Sequence, residues 1–173
     1  SQSKNKPAVA QSFGPVIERV VPDPSVGRDT LIDFETAKLF GPPRPEDMQE
    51  NQDPFTLMRR AGIDASWETT EGTRGLMGID MVAVPVADEK WNSATAELLQ
   101  REETLSIGKQ KRRVFMSAED NSPATYAFKT REGTIGMLQF AGFVDEAPGV
   151  RIRYKMATQK RASALSSAGM ELL

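Results

Sequence analysis

Carboxylates, lysines and arginines are the side chains with which this chain could do chemistry, because its 173 residues include neither His nor Cys. Without imidazole or thiol, the chain cannot build Ser-His-Asp hydrolysis, His-ligated zinc or a cysteine nucleophile. An enzyme would have to work with carboxylates, Lys, Tyr or Ser alone. The composition therefore favours a protein that binds over one that catalyses, and we expect neither a cofactor nor a bound metal.

Asp80 is the acid with the least ordinary surroundings. It interrupts the segment 75–86, which is apolar on both alternating faces of a predicted strand. A carboxylate in such a place needs a partner, because an unpaired buried charge is strongly destabilising. We expect an Arg or turn amides to pair with Asp80, and the alternative is a carboxyl group in a ligand-binding cleft.

Asp33 and Glu35 form the second acidic candidate. They stand two residues apart, which places both carboxylates on the same face of one predicted strand. Such a pair could bind a hard cation or act as general acid and base, and a hydrolase built on carboxylates is therefore one alternative function. Two acids that face solvent from a half-exposed strand are the simpler interpretation.

Basic residues recur in two places, at 109–113 and at Arg151, Arg153 and Lys155. Together they could form a groove that follows phosphates, so a nucleic-acid-binding domain is the other alternative function. One face of the sheet must be polar in any case, the net charge is −2, and no aromatic pattern typical of base stacking is present. We therefore expect no nucleic-acid partner, and keep Asp80 with these three β-strand cations as candidate ligand-binding residues.

The scaffold that must position these side chains is predicted from alternating hydrophobicity and turn residues. About seven strands are expected, and the last four segments are expected to form consecutive antiparallel strands. The predicted strand segments are 15–21, 30–35, 75–86, 113–117, 124–130, 134–143 and 150–156, and residues 38–40 are a further candidate to pair back across a tight turn at Thr36-Ala37. Pro85 is expected at a sheet edge or bulge, because proline cannot donate to a strand ladder.

Two helices complete the predicted fold. Asp53-Pro54 is a typical helix start and Gly62 a typical stop, while a second helix is expected over 89–105 with Asp88 as its cap. The sequence thus predicts an α+β domain, a mostly antiparallel sheet with two helices packed on one face.

Domain organisation follows from composition. Residues 1–12 have the composition of a flexible linker, 13–157 form one α+β domain, and 158–173 are expected to be a weakly ordered tail. A polar, proline-rich loop is expected at 41–52. No apolar segment is long enough to span a bilayer, so we expect no membrane insertion of this chain.

Four segments carry a resemblance to known proteins: FGPVIERVV from Phe13, LIDFET from Leu31, GLMGIDMVAVP from Gly75, and ATYAFKTREG from Ala124. They resemble the C-terminal module of large bacterial regulatory proteins. Some of those proteins begin with a membrane metallopeptidase of the beta-lactam-sensor antirepressor type, and others with a kinase-like or sigma-factor-like part. The chain departs at Ala37, where the module usually has Gly, which makes a positive φ less comfortable in that turn.

The resemblance implies an accessory sensory or binding module, with catalysis or signalling left to another part of the parent chain. It supplies no site residues. We therefore expect a non-catalytic module of a bacterial regulatory or envelope protein that recognises a peptide, glycan, small molecule or protein through its sheet face or the 41–52 loop. An extracytoplasmic location, in the periplasm or at the cell surface, is expected, with an upstream segment as tether; a cytoplasmic location stays open.

Overall fold

The structure, a computed structural model, describes residues 12–101, 105, 111–118, 124–144, 146 and 148–158. These residues form one ten-stranded, mostly antiparallel sheet that curls into a half-barrel and carries a few short helices. The strands are β1 (Ser12–Phe13), β2 (Ile17–Pro22), β3 (Leu31–Asp33), β4 (Lys38–Phe40), β5 (Ala65–Thr70), β6 (Thr73–Val86), β7 (Lys111–Ser117), β8 (Thr125–Lys129), β9 (Ile135–Val144) and β10 (Gly149–Thr158). The antiparallel α+β class is confirmed, but the expected number of about seven strands is too low.

Two strands were not predicted. β5 pairs with β6 through a two-residue turn in which Glu71 and Gly72 both have positive φ, at 50° and 80°. That geometry is typical of a tight hairpin, which Gly72 favours and Glu71 obscures in the sequence. β1 pairs Ser12 with Thr158, so the last residue of the predicted linker and the first of the predicted tail lie in strands. The remainder of both segments, 1–11 and 159–173, falls outside the described residues.

β6 organises the sheet because several strands pair along its 14 residues. β5 and β7 pair with its first part, and β8 pairs with residues 82–86. The prediction that β7 and β8 are neighbours in a four-strand meander is therefore wrong: a strand this long offers separate segments to both. Among the described strands, β8, β9 and β10 form a meander of consecutive neighbours. Residues 82–86 have no second partner strand among the described residues, which confirms Pro85 at an edge.

In the described part of the chain, three short α-helices lie along the sheet: α1 (Pro54–Arg60), α2 (Lys90–Ser93) and α3 (Ala96–Arg101). Asp53 caps α1 as predicted, because its side chain accepts a hydrogen bond from the amide of Phe55 at 3.3 Å. The single helix expected over 89–105 is wrong. The backbone becomes extended at Ala94, and the hydroxyl of Thr95 accepts from the amide of Leu98 to start α3.

Asp88 does not act as the predicted cap. Its carboxylate accepts a hydrogen bond from the Thr125 hydroxyl at 2.6 Å, and the cap position of α2 is Glu89, which makes no side-chain cap bond. The Asp88 carboxylate, which the local sequence predicts as a helix cap, thus makes a tertiary hydrogen bond instead. No helix of the described residues is both long and apolar enough to cross a membrane.

The hydrophobic core lies inside the curl of the sheet, with a smaller cluster under each helical segment. Alternation divides the side chains: Ile32 and Phe128 point into the central core, while their neighbours Leu31 and Ala127 point to the outer clusters. The outer cluster beneath α1 contains Leu31, Met58, Ile63 and Ile79, and Phe40 and Phe55 pack against it. The helices therefore cover the outer face, and α1 covers the end that carries the acidic residues described next.

Candidate functional site

Asp80 is held by an arginine, as the structural interpretation predicts. Nη1 of Arg59 lies 3.2 Å from Oδ2 of Asp80, and the Asp80 side chain is 21% exposed. Asp80 also has a positive φ of 50°, a conformation that Asp adopts more readily than most residues. The ion pair ties α1 to β6 at the point where β6 passes from its β7-paired to its β8-paired segment. Asp80 thus positions a helix.

Two more contacts fix α1 from β7. Arg112 donates to Oδ2 of the capping residue Asp53 at 2.8 Å, and the guanidinium of Arg113 stacks 3.8 Å from the centre of the Phe55 ring. These arginines belong to the predicted basic segment 109–113, of which Lys109 and Gln110 fall outside the described residues. Their charges serve to clamp the helix, since each contacts an α1 or cap residue.

The other predicted basic residues lie on β10, which is separated from β7 by β9, β8 and β6 in the sheet. Arg153 donates to Gln139 at 2.7 Å and stacks over Trp91, and Lys155 donates to the Trp91 carbonyl at 2.6 Å. Burial, with a smaller contribution from the charge of Arg153, lowers the pKa of Lys155. Arg151 is exposed. The structure therefore separates the β10 group from both Asp80 and the β7 group. Asp80 itself lies beside the β7 group, because its neighbours Ile79 and Met81 pair with Arg113 and Lys111.

Asp33 and Glu35 do meet a third carboxylate, which the sequence prediction missed. One oxygen each from Asp33, Glu35 and Asp64 lie within 4.8 Å of one another. Asp64 directly precedes β5, which pairs with β3, and this pairing carries it to the β3–β4 turn. The available sequence signal is a repeated triplet, Gly-Ile-Asp, that ends once at Asp64 and once at Asp80. In the structure both of these aspartates have an arginine beside them.

Asp64 is the buried member of this carboxyl cluster, at 1% exposure. Its Oδ2 accepts from the amide of Phe34 at 2.8 Å, whereas its Oδ1 has no hydrogen-bond partner among the described residues. Nη2 of Arg131 is 3.6 Å from that Oδ1, which is an ion-pair distance but too long for a hydrogen bond. Burial, followed by a hydrogen bond to Glu35, raises the pKa of Asp64 to about 8. Burial therefore favours the protonated form of Asp64 in the folded protein.

The remaining cluster contacts are structural. Asp33 accepts hydrogen bonds from the amides of Glu35 and Thr36 and from the Thr36 hydroxyl, and so builds the β3–β4 turn. Arg131 donates to the carbonyls of Ile63 and Ile79. Because the oxygens of Asp33 are used and Arg131 supplies positive charge, the cluster is poorly suited to a divalent cation.

An apolar cavity of about 120 Å³ opens beside α1, on the same side of β3 as the outer cluster. We call it the Leu31 cavity. Residues of β3, α1 and the loop after β4 line it: Leu31, Phe40, Gly41, Pro43, Leu57, Met58, Ala61 and Ile63. Leu31 and Ile63 are buried, so one wall of the cavity belongs to the hydrophobic core. Gly41 and Pro43 are half-buried and line its opening.

A polar depression of about 410 Å³ adjoins the Leu31 cavity and shares Gly41 and Pro43 with it. Its charged lining consists of Arg28, Asp29, Arg44 and Asp47. Two positive and two negative side chains thus stand beside an apolar opening. The predicted 41–52 loop lies at this boundary, and it contains one 3₁₀ turn over Pro45–Asp47.

Comparison of the sequence with protein families, with curated proteins and with solved structures finds no significant match to any of them.

Proposed function

We propose that this chain is a non-catalytic ligand-binding module of a bacterial regulatory or envelope protein, exposed outside the cytoplasm, and that its ligand binds where the Leu31 cavity meets the polar depression. The observation that carries the proposal is this junction: an apolar cavity and a charged depression that share Gly41 and Pro43. Binding sites commonly combine an apolar pocket with a few polar groups that orient the ligand. The resemblance to C-terminal modules of regulatory proteins supports the same function.

The arrangement of titratable groups supports binding rather than catalysis. Hydrolysis by carboxylates needs an acid and a base that both reach one substrate. Here Asp33 is occupied by the turn it builds, Asp64 is 1% exposed, and Glu35 accepts from the Thr130 hydroxyl at 3.0 Å. A nucleic-acid site is disfavoured as well, because β7 and β10 use most of their described cations to hold α1 and Trp91.

Nitrogen-edited NMR spectra of the full chain test the proposal. Amide shifts are recorded against three probe sets at millimolar concentration: leucine-containing di- and tripeptides, chitin oligosaccharides, and short fatty acids. We expect the largest shifts from one set at Leu31, Gly41 and Ala61. Shifts confined to other surfaces, turnover of any probe, or no shift from any set would contradict a binding module centred here.

Ala61→Leu gives a matched loss-of-binding variant. Ala61 is exposed and lines the Leu31 cavity, so a larger aliphatic side chain fills the opening without burying a polar group. Ala141→Leu, at an exposed position of β9, is the control. We expect Ala61→Leu to abolish the shifts and Ala141→Leu to retain them.

A further inference from the structure

We infer that the ligand of this junction is a zwitterion of the amino-acid class: an aliphatic side chain beside a free carboxylate and a free ammonium, as in a short peptide that ends in leucine. The inference rests on the proposed function and names its ligand class.

The volume of the Leu31 cavity limits the size of the apolar group that the ligand can carry. Its volume of about 120 Å³ is somewhat smaller than the roughly 150 Å³ of an apolar cavity that accommodates benzene. A branched aliphatic side chain of the leucine type matches this space, whereas a fused aromatic ring is too large. All of its lining residues are apolar or present backbone, so the cavity offers no side-chain hydrogen-bonding group to a polar substituent.

The charged side chains around the polar depression determine which charged groups the ligand must carry. Arg28 and Arg44 can each bind a carboxylate, and Asp29 and Asp47 can each bind an ammonium group. Arg28, Asp29 and Asp47 make no side-chain hydrogen bond or ion pair within the described part of the chain, and Arg44 has only Glu46 at 3.8 Å. An anion alone would face two carboxylates and a cation alone two guanidinium groups, so a ligand with both charges is the complementary one.

Gly41 lines both the Leu31 cavity and the polar depression. A Cβ at this position would lie 3.6 Å from Oδ1 of Asp29 and 3.5 Å from the Arg28 carbonyl oxygen. A side chain at this position would therefore project toward the charged lining of the depression. A ligand can thus place its aliphatic carbons and its charged groups on opposite sides of Gly41. The depression, at about 410 Å³, is more than three times as large as the cavity, which leaves room for a peptide unit besides the terminal charges.

Isothermal titration calorimetry on the full chain tests the inference with defined probes: glycylleucine, leucylglycine, free leucine, glycylglycine and N-acetyl-leucinamide. We expect glycylleucine to bind about tenfold or more tightly than glycylglycine, which lacks the aliphatic side chain. N-acetyl-leucinamide, which lacks both charges, should bind at least about tenfold more weakly than glycylleucine. If free leucine binds more tightly than glycylleucine and leucylglycine, the zwitterionic ligand class is supported, and the ligand is a free amino acid rather than a peptide.

Variants locate the site. Arg28→Gln and Asp29→Asn should each weaken glycylleucine about fivefold to tenfold, and Gly41→Leu should abolish its binding. Arg151→Gln, at an exposed arginine of β10, is the matched control and should leave the affinity unchanged. The NMR spectrum of each variant verifies its fold.

The inference is overturned if glycylglycine or N-acetyl-leucinamide binds as well as glycylleucine, or if Arg151→Gln weakens binding as much as Arg28→Gln. If the peptides do not bind while an oligosaccharide or fatty acid shifts the amide resonances of Leu31 and Gly41, the inferred ligand class is wrong. The proposed function as a binding module is then still supported. If no probe shifts these amides, the proposed function fails as well.

Discussion

Backbone strain at single residues is hard to recognise from the sequence, and Ala37 is the clearest example in this fold. It has a φ of 60° in the turn between β3 and β4, and its carbonyl accepts from Nε of Arg19 at 2.8 Å. A left-handed conformation is uncomfortable for alanine because of its Cβ, and glycine adopts it freely. The expectation that a positive φ is uncomfortable for Ala37 thus applies to the turn that the structure shows.

We therefore predict that Ala37→Gly raises the free energy of unfolding by about 0.5–1 kcal/mol, since relief of the strain exceeds the added entropy of the unfolded chain. Denaturation in urea measures the change. Ala141→Gly, at an exposed strand position, is the control and should lower stability by about 0.5–1 kcal/mol, the usual cost of glycine in a strand. Equal destabilisation by both substitutions would contradict strain at Ala37.

Asp64 predicts a pH dependence of stability. Its pKa of about 8 in the folded protein lies above the ordinary value of 3.8, so the folded state binds more protons than the unfolded state between these two values. The free energy of unfolding should therefore fall as pH rises from about 4 to about 8. The stabilisation that comes from protonated Asp64 is fully present below about pH 4 and is lost above about pH 8.

Asp64→Asn tests this assignment, because an amide keeps the shape of the protonated carboxyl and does not titrate. We expect the variant to lose the downward slope between pH 4 and pH 8 in a series of urea melts. Glu68→Gln, at an exposed carboxyl of β5, should keep the slope. A slope that survives Asp64→Asn would assign the linked proton to another group.

At the scale of elements, charged pairs hold α1 against the sheet and so shape one wall of the Leu31 cavity. Arg59 and Asp80 form the pair that ties the helix to β6, and the Arg59 side chain is 38% exposed. A half-exposed pair contributes modestly, and a double-mutant cycle isolates that contribution.

We predict a coupling energy of about 0.2–1 kcal/mol for the Arg59→Gln and Asp80→Asn cycle. Asparagine also tolerates the positive φ at this position, so the cycle does not add backbone strain. Amide hydrogen exchange at Leu57 and Met58 should become faster in both single variants. A coupling near zero, with unchanged exchange, would show that packing alone fixes α1.

Sequence patterns predicted the elements whose signals are local. The Asp53-Pro54 helix start, β4, and the alternating faces of β10 all follow from nearest neighbours along the chain. The same reasoning missed β5, because Glu71 hides a tight turn, and it fused α2 with α3, because the break at Ala94 depends on tertiary packing.

The candidate site was predictable only in part, for the same reason. The 41–52 loop stands out by its prolines, and Asp80 stands out within an apolar strand. The meeting of Asp64 with Glu35 depends on strand pairing, as does the contact of Arg131 with Asp64 across a long sequence separation. The junction of cavity and depression arises only when α1 folds over β3, and no spacing along the chain encodes it.

At the scale of the whole molecule, β6 connects the three hydrophobic clusters that the described residues form. Leu76 and Met81 belong to the central core, Ile79 to the cluster beneath α1, and Val82 to the cluster beneath α2 and α3. Unfolding any cluster would therefore expose part of one continuous strand. This connection favours a single cooperative unit, and the one domain expected over 13–157 stays a prediction.

The two tryptophans allow a direct test, because Trp67 lies in the central core and Trp91 in the cluster beneath α2 and α3. In Trp67→Phe and Trp91→Phe, the remaining tryptophan reports one cluster, and far-UV circular dichroism reports the sheet as a whole. We predict that fluorescence and circular dichroism give the same urea midpoint within each variant, because β6 must lose its partners at once. Midpoints that separate in the Trp67→Phe variant would instead show that α2 and α3 detach before the sheet unfolds, and the clusters would then be independent units.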